Sequence, residues 1–268
     1  MAQAGLQATE LVREAYRLLL GDWRRWLVAL ALPLAIDVLV RGTFAAVYGP
    51  QIADLGSLQR VADGTFLLRV LAVLLAGIIA VTLFAVSWHR FALLGAAPAL
   101  LPAVGADHVR FLLLALALLF FGGFVMQMAL ALAVTGGSVY TFLALGLVVV
   151  AMVYLRFGMV FPATALGRRL RLSQSWAITK GQTLVLFWAH LLGMVPLIVL
   201  GLLVSFLMGA LVAGMQGTPR EGGPGLWLVI AVDGAMNFLV LAVAVGILSA
   251  AYRRLAPERT AAGGPHGA

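Results

Sequence analysis

FLLLALALLFFGGFVMQMALALAV, residues Phe111–Val134, contains no charged side chain. An α-helix rises about 1.5 Å per residue, so this run crosses a hydrocarbon layer about 30 Å thick. Five further stretches on either side read the same way: Leu27–Tyr48, Phe66–Trp88, Val139–Ala163, Thr183–Ala213 and Leu226–Ala251. Their unbroken Leu, Val and Ala runs lack the two-residue alternation of a transmembrane β-barrel. The expected fold class is therefore all-α, a polytopic membrane bundle of six spans. The spans form one domain over residues 1–256. The Gly-, Ala- and Pro-rich segment 257–268 is expected to be a disordered tail. The first span is interrupted by Pro33, Asp37 and Arg41, and the long fifth span is expected to tilt or bend near Pro196.

Composition agrees with this reading. The 268 residues are 63% hydrophobic and 10% charged, against ~45–50% and ~25% in an average soluble domain. Too few polar groups remain to cover a water-facing globule, and the apolar excess excludes a disordered chain. The absence of cysteine removes disulfides, thiolate metal sites and cysteine nucleophiles together.

Charge sets the expected orientation. Most of the 18 Lys and Arg fall at one end of the spans: Arg13, Arg17, Arg24, Arg25, Arg90, Arg110, Arg168, Arg169, Arg171, Lys180, Arg253, Arg254 and Arg259. Only Arg41, Arg60, Arg69 and Arg220 fall toward the other end, and Arg156 lies within a span. The positive-inside rule then puts both termini in the cytoplasm. Topology and contact with membrane lipids account for the net charge of +8, and no soluble basic domain is present to bind nucleic acid.

Ahead of the first span, Thr9 to Leu20 reads as an amphipathic helix rather than a signal peptide. Thr9 serves as its cap and Glu10 sits in its first turn. Leu11, Val12, Ala15, Tyr16, Leu18 and Leu19 form the apolar stripe, with Arg13, Glu14 and Arg17 opposite. Such a helix is expected to lie in the headgroup plane and turn into the membrane at Gly21. The elbow recurs: an aromatic precedes a glycine by five residues at Tyr16…Gly21 and at Trp176…Gly181. Ser173 is the expected cap of the second elbow and Gly181 its stop. A fainter echo runs from Gly105 to Phe111. The glycines at 21, 105 and 181 lie roughly 80 residues apart, which suggests three elbow–span–span hairpins in one orientation.

Several strings together resemble a known grouping. Trp88-His89-Arg90-Phe91-Ala92-Leu93-Leu94-Gly95 resembles the WHRxxLLGE string of uncharacterised proteobacterial inner-membrane proteins. Those proteins also carry a pattern like Arg156-Phe157…Phe161-Pro162-Ala163…Leu166-Gly167-Arg168, then SxxWxxTxG, here Ser173 to Gly181. The grouping is similar to the membrane domain that accompanies some glycerophosphodiester phosphodiesterases. This chain departs from it at Ala96, Lys180 and Gln182, where the family has an acidic residue, Arg and Asn. The resemblance implies a six-helix fold, a place in a bacterial inner membrane and a link to lipid metabolism. It supplies no catalytic residues, because the hydrolytic domain of such fusions has no counterpart in these residues.

Ionisable groups at depth are costly and are functional candidates by default. At ~1.5 Å per residue, Asp37 and Arg156 are matched in depth, and Arg41 and Asp233 are matched nearer the outer ends. Asp37 and Arg41 also share a helix face. The first span is therefore expected to pack against the fourth and sixth through a seam of Asp37, Arg41, Arg156 and Asp233. Two readings of the seam stand: a proton or substrate pathway, or a satisfied polar contact that sets helix order, with Arg41 reaching outward. The second is favoured because a pathway shows more polar lining.

His89, His108, His190 and His266 lack metal-ligand spacing, so no metal and no cofactor is expected. His190 is expected to pack between helices, and Asn237 and Gln127 to hydrogen-bond across them. No nucleophile elbow or phosphate loop occurs; Gly222 to Gly225 reads as an outer turn. The expected function is non-enzymatic: an accessory, assembly or scaffold subunit packing against other integral membrane proteins. A small-solute or lipid transporter using the seam is the alternative.

Overall fold

The computed structural model describes residues 6–49, 64–134, 138–214 and 223–256. The expected tail at 257–268, Arg60, Arg220 and the first residue of the Gly222 turn lie outside them. All regular structure among the described residues is helical. The elements are α1 (Ala8–Gly21), α2 (Trp23–Tyr48), α3 (Gly64–Leu94), α4 (Ala106–Val134), α5 (Val139–Phe157), α6 (Val160–Ala165), α7 (Leu172–Ile178), α8 (Thr183–Gly214) and α9 (Pro224–Leu255). Six of these, α2, α3, α4, α5, α8 and α9, are long and apolar enough to cross a membrane. The expected fourth span to Ala163 is instead cut at Gly158. Pro162 sits in the separate short helix α6.

The spans form a closed circuit in which α2 packs on α3, α3 on α4, α4 on α5, α5 on α8, α8 on α9 and α9 back on α2. Each hairpin pairs its own two spans, and each returning span meets the outgoing span of the next hairpin. The elbows follow the same rotation: α7 packs on α5, and α1 packs on α9 and α8. One contact breaks the symmetry, since α9 also packs across the circuit on α3. The third elbow does not form. Pro98 and Pro102 keep the segment before Gly105 non-helical, and Gly105 opens α4 instead of ending a helix.

The core lies at the arginine-rich end. Residues Ala242 to Tyr252 of α9 are buried on every side, a pattern that follows from their lack of a polar face. Around them pack α1, α2, α3, α6 and α8. The opposite ends of α4, α5 and α8 leave large apolar side chains such as Phe120, Phe124 and Phe206 exposed.

The first elbow departs from expectation. Its apolar stripe does not face open lipid: Leu11, Ala15 and Leu19 are buried against the bundle. Glu10 and Glu14 ion-pair with Arg254 and Arg253, and Tyr16 Oη donates to the Gly193 carbonyl at 2.8 Å. Gln7, not Thr9, occupies the N-cap position, though Glu10 does sit in the first turn. Likewise Arg171, not Ser173, precedes α7. Its N–H donates to Gln174 Oε1 at 3.0 Å. Gly181 does end the second elbow, with φ of 78° that side-chain-bearing residues resist.

Tyr16 gives a pH test of the docked elbow. Burial raises its phenol above the ordinary value of 10.0 by penalising the charged form. Above about pH 10 the unfolded chain therefore releases a proton that the folded chain retains, and stability falls as pH rises. Tyr16→Phe is expected to cost about 1 kcal/mol at neutral pH for the lost hydrogen bond. It should also flatten part of the alkaline fall in a detergent unfolding series. An alkaline limb identical in both proteins would show that Tyr16 is not buried in the fold.

Candidate functional site

Asp37, Arg41 and Asp233 meet between α2 and α9. Helical geometry puts Asp37 one turn before Arg41, and Arg41 bridges the helices. Its Nη1 lies 2.7 Å from Asp233 Oδ2, and its Nη2 ion-pairs with Asp37. Asp37 is the most enclosed side chain, at 14% exposure, against 32% for Arg41 and 55% for Asp233. Asn237 donates to Asp233 Oδ2 at 3.1 Å. That bond lies within α9, not across helices as expected, because the two residues stack one turn apart. Gly234 permits the close approach: a Cβ there would sit 2.7 Å from Asp37 Oδ2 and 2.8 Å from Leu34 Cδ1.

Arg156 is held elsewhere, and the expected Asp37–Arg156 pairing is replaced. Its guanidinium lies 4.6 Å from the Trp176 ring centroid, and Nη1 donates to the Trp176 carbonyl at 3.4 Å. The Arg156 carbonyl falls in the last turn of α5, where intrahelical donors run out. Ser175 Oγ at 2.8 Å and Thr179 Oγ1 at 3.3 Å donate to it. The fourth span thus contacts the second elbow at this point, and the seam joins only the first and sixth spans. The depth match with Asp37 fails because the fourth span ends at Phe157 and not at Ala163: Arg156 lies in the last turn of α5, whereas Asp37 lies in the middle of α2.

The Trp88-His89-Arg90 string is a set of ties at the arginine-rich end. Trp88 Nε1 donates to the Ala242 carbonyl at 3.0 Å, and His89 Nδ1 lies 2.8 Å from Ser249 Oγ. Arg90 Nε donates to the Ala165 carbonyl at 2.7 Å, and its Nη2 reaches Asp107 at 3.0 Å. Three consecutive residues therefore fasten α3 to α9, to α6 and to the start of α4. His108, next to Asp107, accepts from the Gly105 N–H at 3.3 Å. His190 packs edge-on to Tyr154 as expected, with Nδ1 2.8 Å from the Leu186 carbonyl. Gln127 is exposed beside α3.

Two cavities adjoin these ties. One, of about 290 Å³, lies among α3, α4, α5 and α9; Val81, Ala85, Ala115, Tyr154 and Val245 are among its mostly apolar lining. The other, of about 530 Å³, opens beside α1 among Arg13, Arg17, Asp22, Glu14, Arg253 and Arg254. Sequence reasoning missed the pairing of Glu10 and Glu14 with Arg254 and Arg253. The signal was present as two acids one turn apart and two adjacent arginines at the chain's other end. Comparison with protein-family models, with curated proteins and with solved structures finds no match to this chain.

Proposed function

We propose that this chain is a non-enzymatic accessory or scaffold subunit of a bacterial inner membrane, with both termini in the cytoplasm. The observation that carries this reading is the use made of the charges within the helices. Arg41 is shared between Asp37 and Asp233, Arg90 is taken by Asp107, and Arg156 by Trp176. Groups engaged in this way set helix order. The fully wrapped inner half of α9 supports the same view, because a rigid packed core suits a part that holds others in place. Transport through Asp37, Arg156 and Asp233 has less support, since Arg156 stands apart from the other two.

The test is gentle extraction from the native membrane at natural expression level, followed by native mass spectrometry. A stoichiometric integral membrane partner is the expected result. A chain that migrates alone, or only with itself, overturns the accessory role. Bound lipid in that case would revive the lipid-handling reading, for which the apolar cavity among α3, α4, α5 and α9 is the natural seat.

A further inference from the structure

Close-packed interiors leave few voids larger than a water molecule, yet the cavity among α3, α4, α5 and α9 holds about 290 Å³. That is roughly twice the ~150 Å³ of an engineered apolar cavity that stays dry and admits benzene. Small side chains make the room: Ala85 on α3 and Ala115 on α4 line it where larger residues would fill it. Val81, Leu119 and Phe121 line it too and are exposed, so it opens on a face that meets the bilayer. From Val81 to His89 the lining follows α3 for about 12 Å at the helical rise.

The lining decides what such a space accepts. Among the described residues around it, His89 and Tyr154 carry the polar side-chain atoms, and none is Lys, Arg, Asp or Glu. Water needs two to four polar partners and has little hold there. A charged headgroup would be stranded, because Arg90, next to His89 in the chain, is turned to the Ala165 carbonyl and to Asp107. A neutral oxygen fits better. His89 is 1% exposed, and its Nδ1 is held 2.8 Å from Ser249 Oγ. That leaves Nε2 as the atom it can offer to a ligand, as donor or acceptor according to tautomer. His89 stands near the arginine-rich end of α3, and Val81 lies two turns deeper. The polar end of the cavity is thus nearest the headgroups and the apolar end lies in hydrocarbon, the order of head and chain in a membrane lipid. We propose that this cavity binds one chain of a neutral lipid, whose head presents a hydroxyl or carbonyl oxygen to His89 Nε2. The site stands independently of the accessory role, because it needs no protein partner.

The test uses the full chain in a neutral detergent, with binding read by native mass spectrometry and thermal shift. Didecanoylglycerol and decylubiquinone are the neutral probes. Didecanoyl phosphatidylglycerol carries a charge on the same acyl chains, and decane has no head. The neutral probes should bind about fivefold more tightly than decane and at least tenfold more tightly than the charged lipid. The better of the two tells an acylglycerol source from a quinone. Ala115→Leu fills the space and should abolish binding of every probe without lowering Tm. Ala117→Leu, on the exposed side of the same helix, is the control that should keep it. His89→Asn keeps an amide where Nδ1 stood and removes Nε2. It should bring the neutral probes down to the affinity of decane and leave decane itself unchanged. Binding in Ala115→Leu equal to that in Ala117→Leu overturns the proposal, as does a fall in Tm, which would mean that no open cavity exists. Neutral probes that bind no better than decane or than the charged lipid overturn the part assigned to His89 and to a neutral head.

Discussion

Gly246→Leu is expected to eject α1 from the bundle while the six spans remain. A Cβ at Gly246 would lie 2.9 Å from Ala15 Cβ and 3.1 Å from Ala15 Cα, so part of the obstruction is backbone and cannot rotate away. Even alanine should cost about 2 kcal/mol by overpacking. Leucine asks for space that only departure of the helix provides. A loss of about 3 kcal/mol raises the open population on the order of a hundredfold. Trypsin cleavage after Arg13 and Arg17 should accelerate accordingly, because both lie on the segment that opens. The matched control is Gly123→Leu, where nothing stands within 4 Å of the added Cβ. Equal trypsin rates in the two variants would mean that α1 does not dock on α9.

Arg41→Met should be the most damaging change in the charged seam, costing about 2–3 kcal/mol. It strands Asp37, the enclosed partner, beside a second carboxylate. Breaking a fully buried pair costs about 3–5 kcal/mol; the half-exposed Asp233 brings the figure down here. Asp37→Asn alone should cost only about 1 kcal/mol, because Arg41 keeps Asp233. The double variant Asp37→Asn/Arg41→Met should recover most of the loss, since Asp233 retains water and Asn237. Unfolding in mild detergent reads all three. Additive losses without recovery would reject a structural seam, and unaltered stability of Asp37→Asn would show that its charge contributes nothing to folding.

The two variants probe different kinds of contact. α1 is held mainly by shape, with apolar residues and a glycine-lined groove; the seam is held by charge at the far end of the same helix, α9. Both positions were visible in the sequence as residues. Asp37, Arg41 and Asp233 stood out because charge is rare in a span, and their depths could be counted from the span ends. Arg156 stood out equally but was given the wrong neighbour. Its partner Trp176 lies on an elbow that the count of depths did not include. The Trp88-His89-Arg90 string was legible as a pattern, yet its partners, Ala242 and Ser249 on α9, Ala165 on α6 and Asp107 on α4, were not. Adjacent residues point in different directions on a helix, and only packing says what waits there.

Hydropathy along the chain determined by itself that six helices cross a membrane and that the arginines collect at one end. Each span is a local property: about 20 apolar residues must satisfy their own backbone hydrogen bonds in hydrocarbon, and a helix does so without help from the rest of the fold. The order of the helices around the circuit, the enclosure of α9 and the docking of α1 were decided only by tertiary structure. Lipid chains are as apolar as leucine, so a hydrophobic face does not reveal whether it meets lipid or protein. That choice rests on where small residues let backbones approach and where a charge finds its counter-ion. In this chain both depend on residues more than a hundred positions apart, as at Ala15 with Gly246 and Arg41 with Asp233.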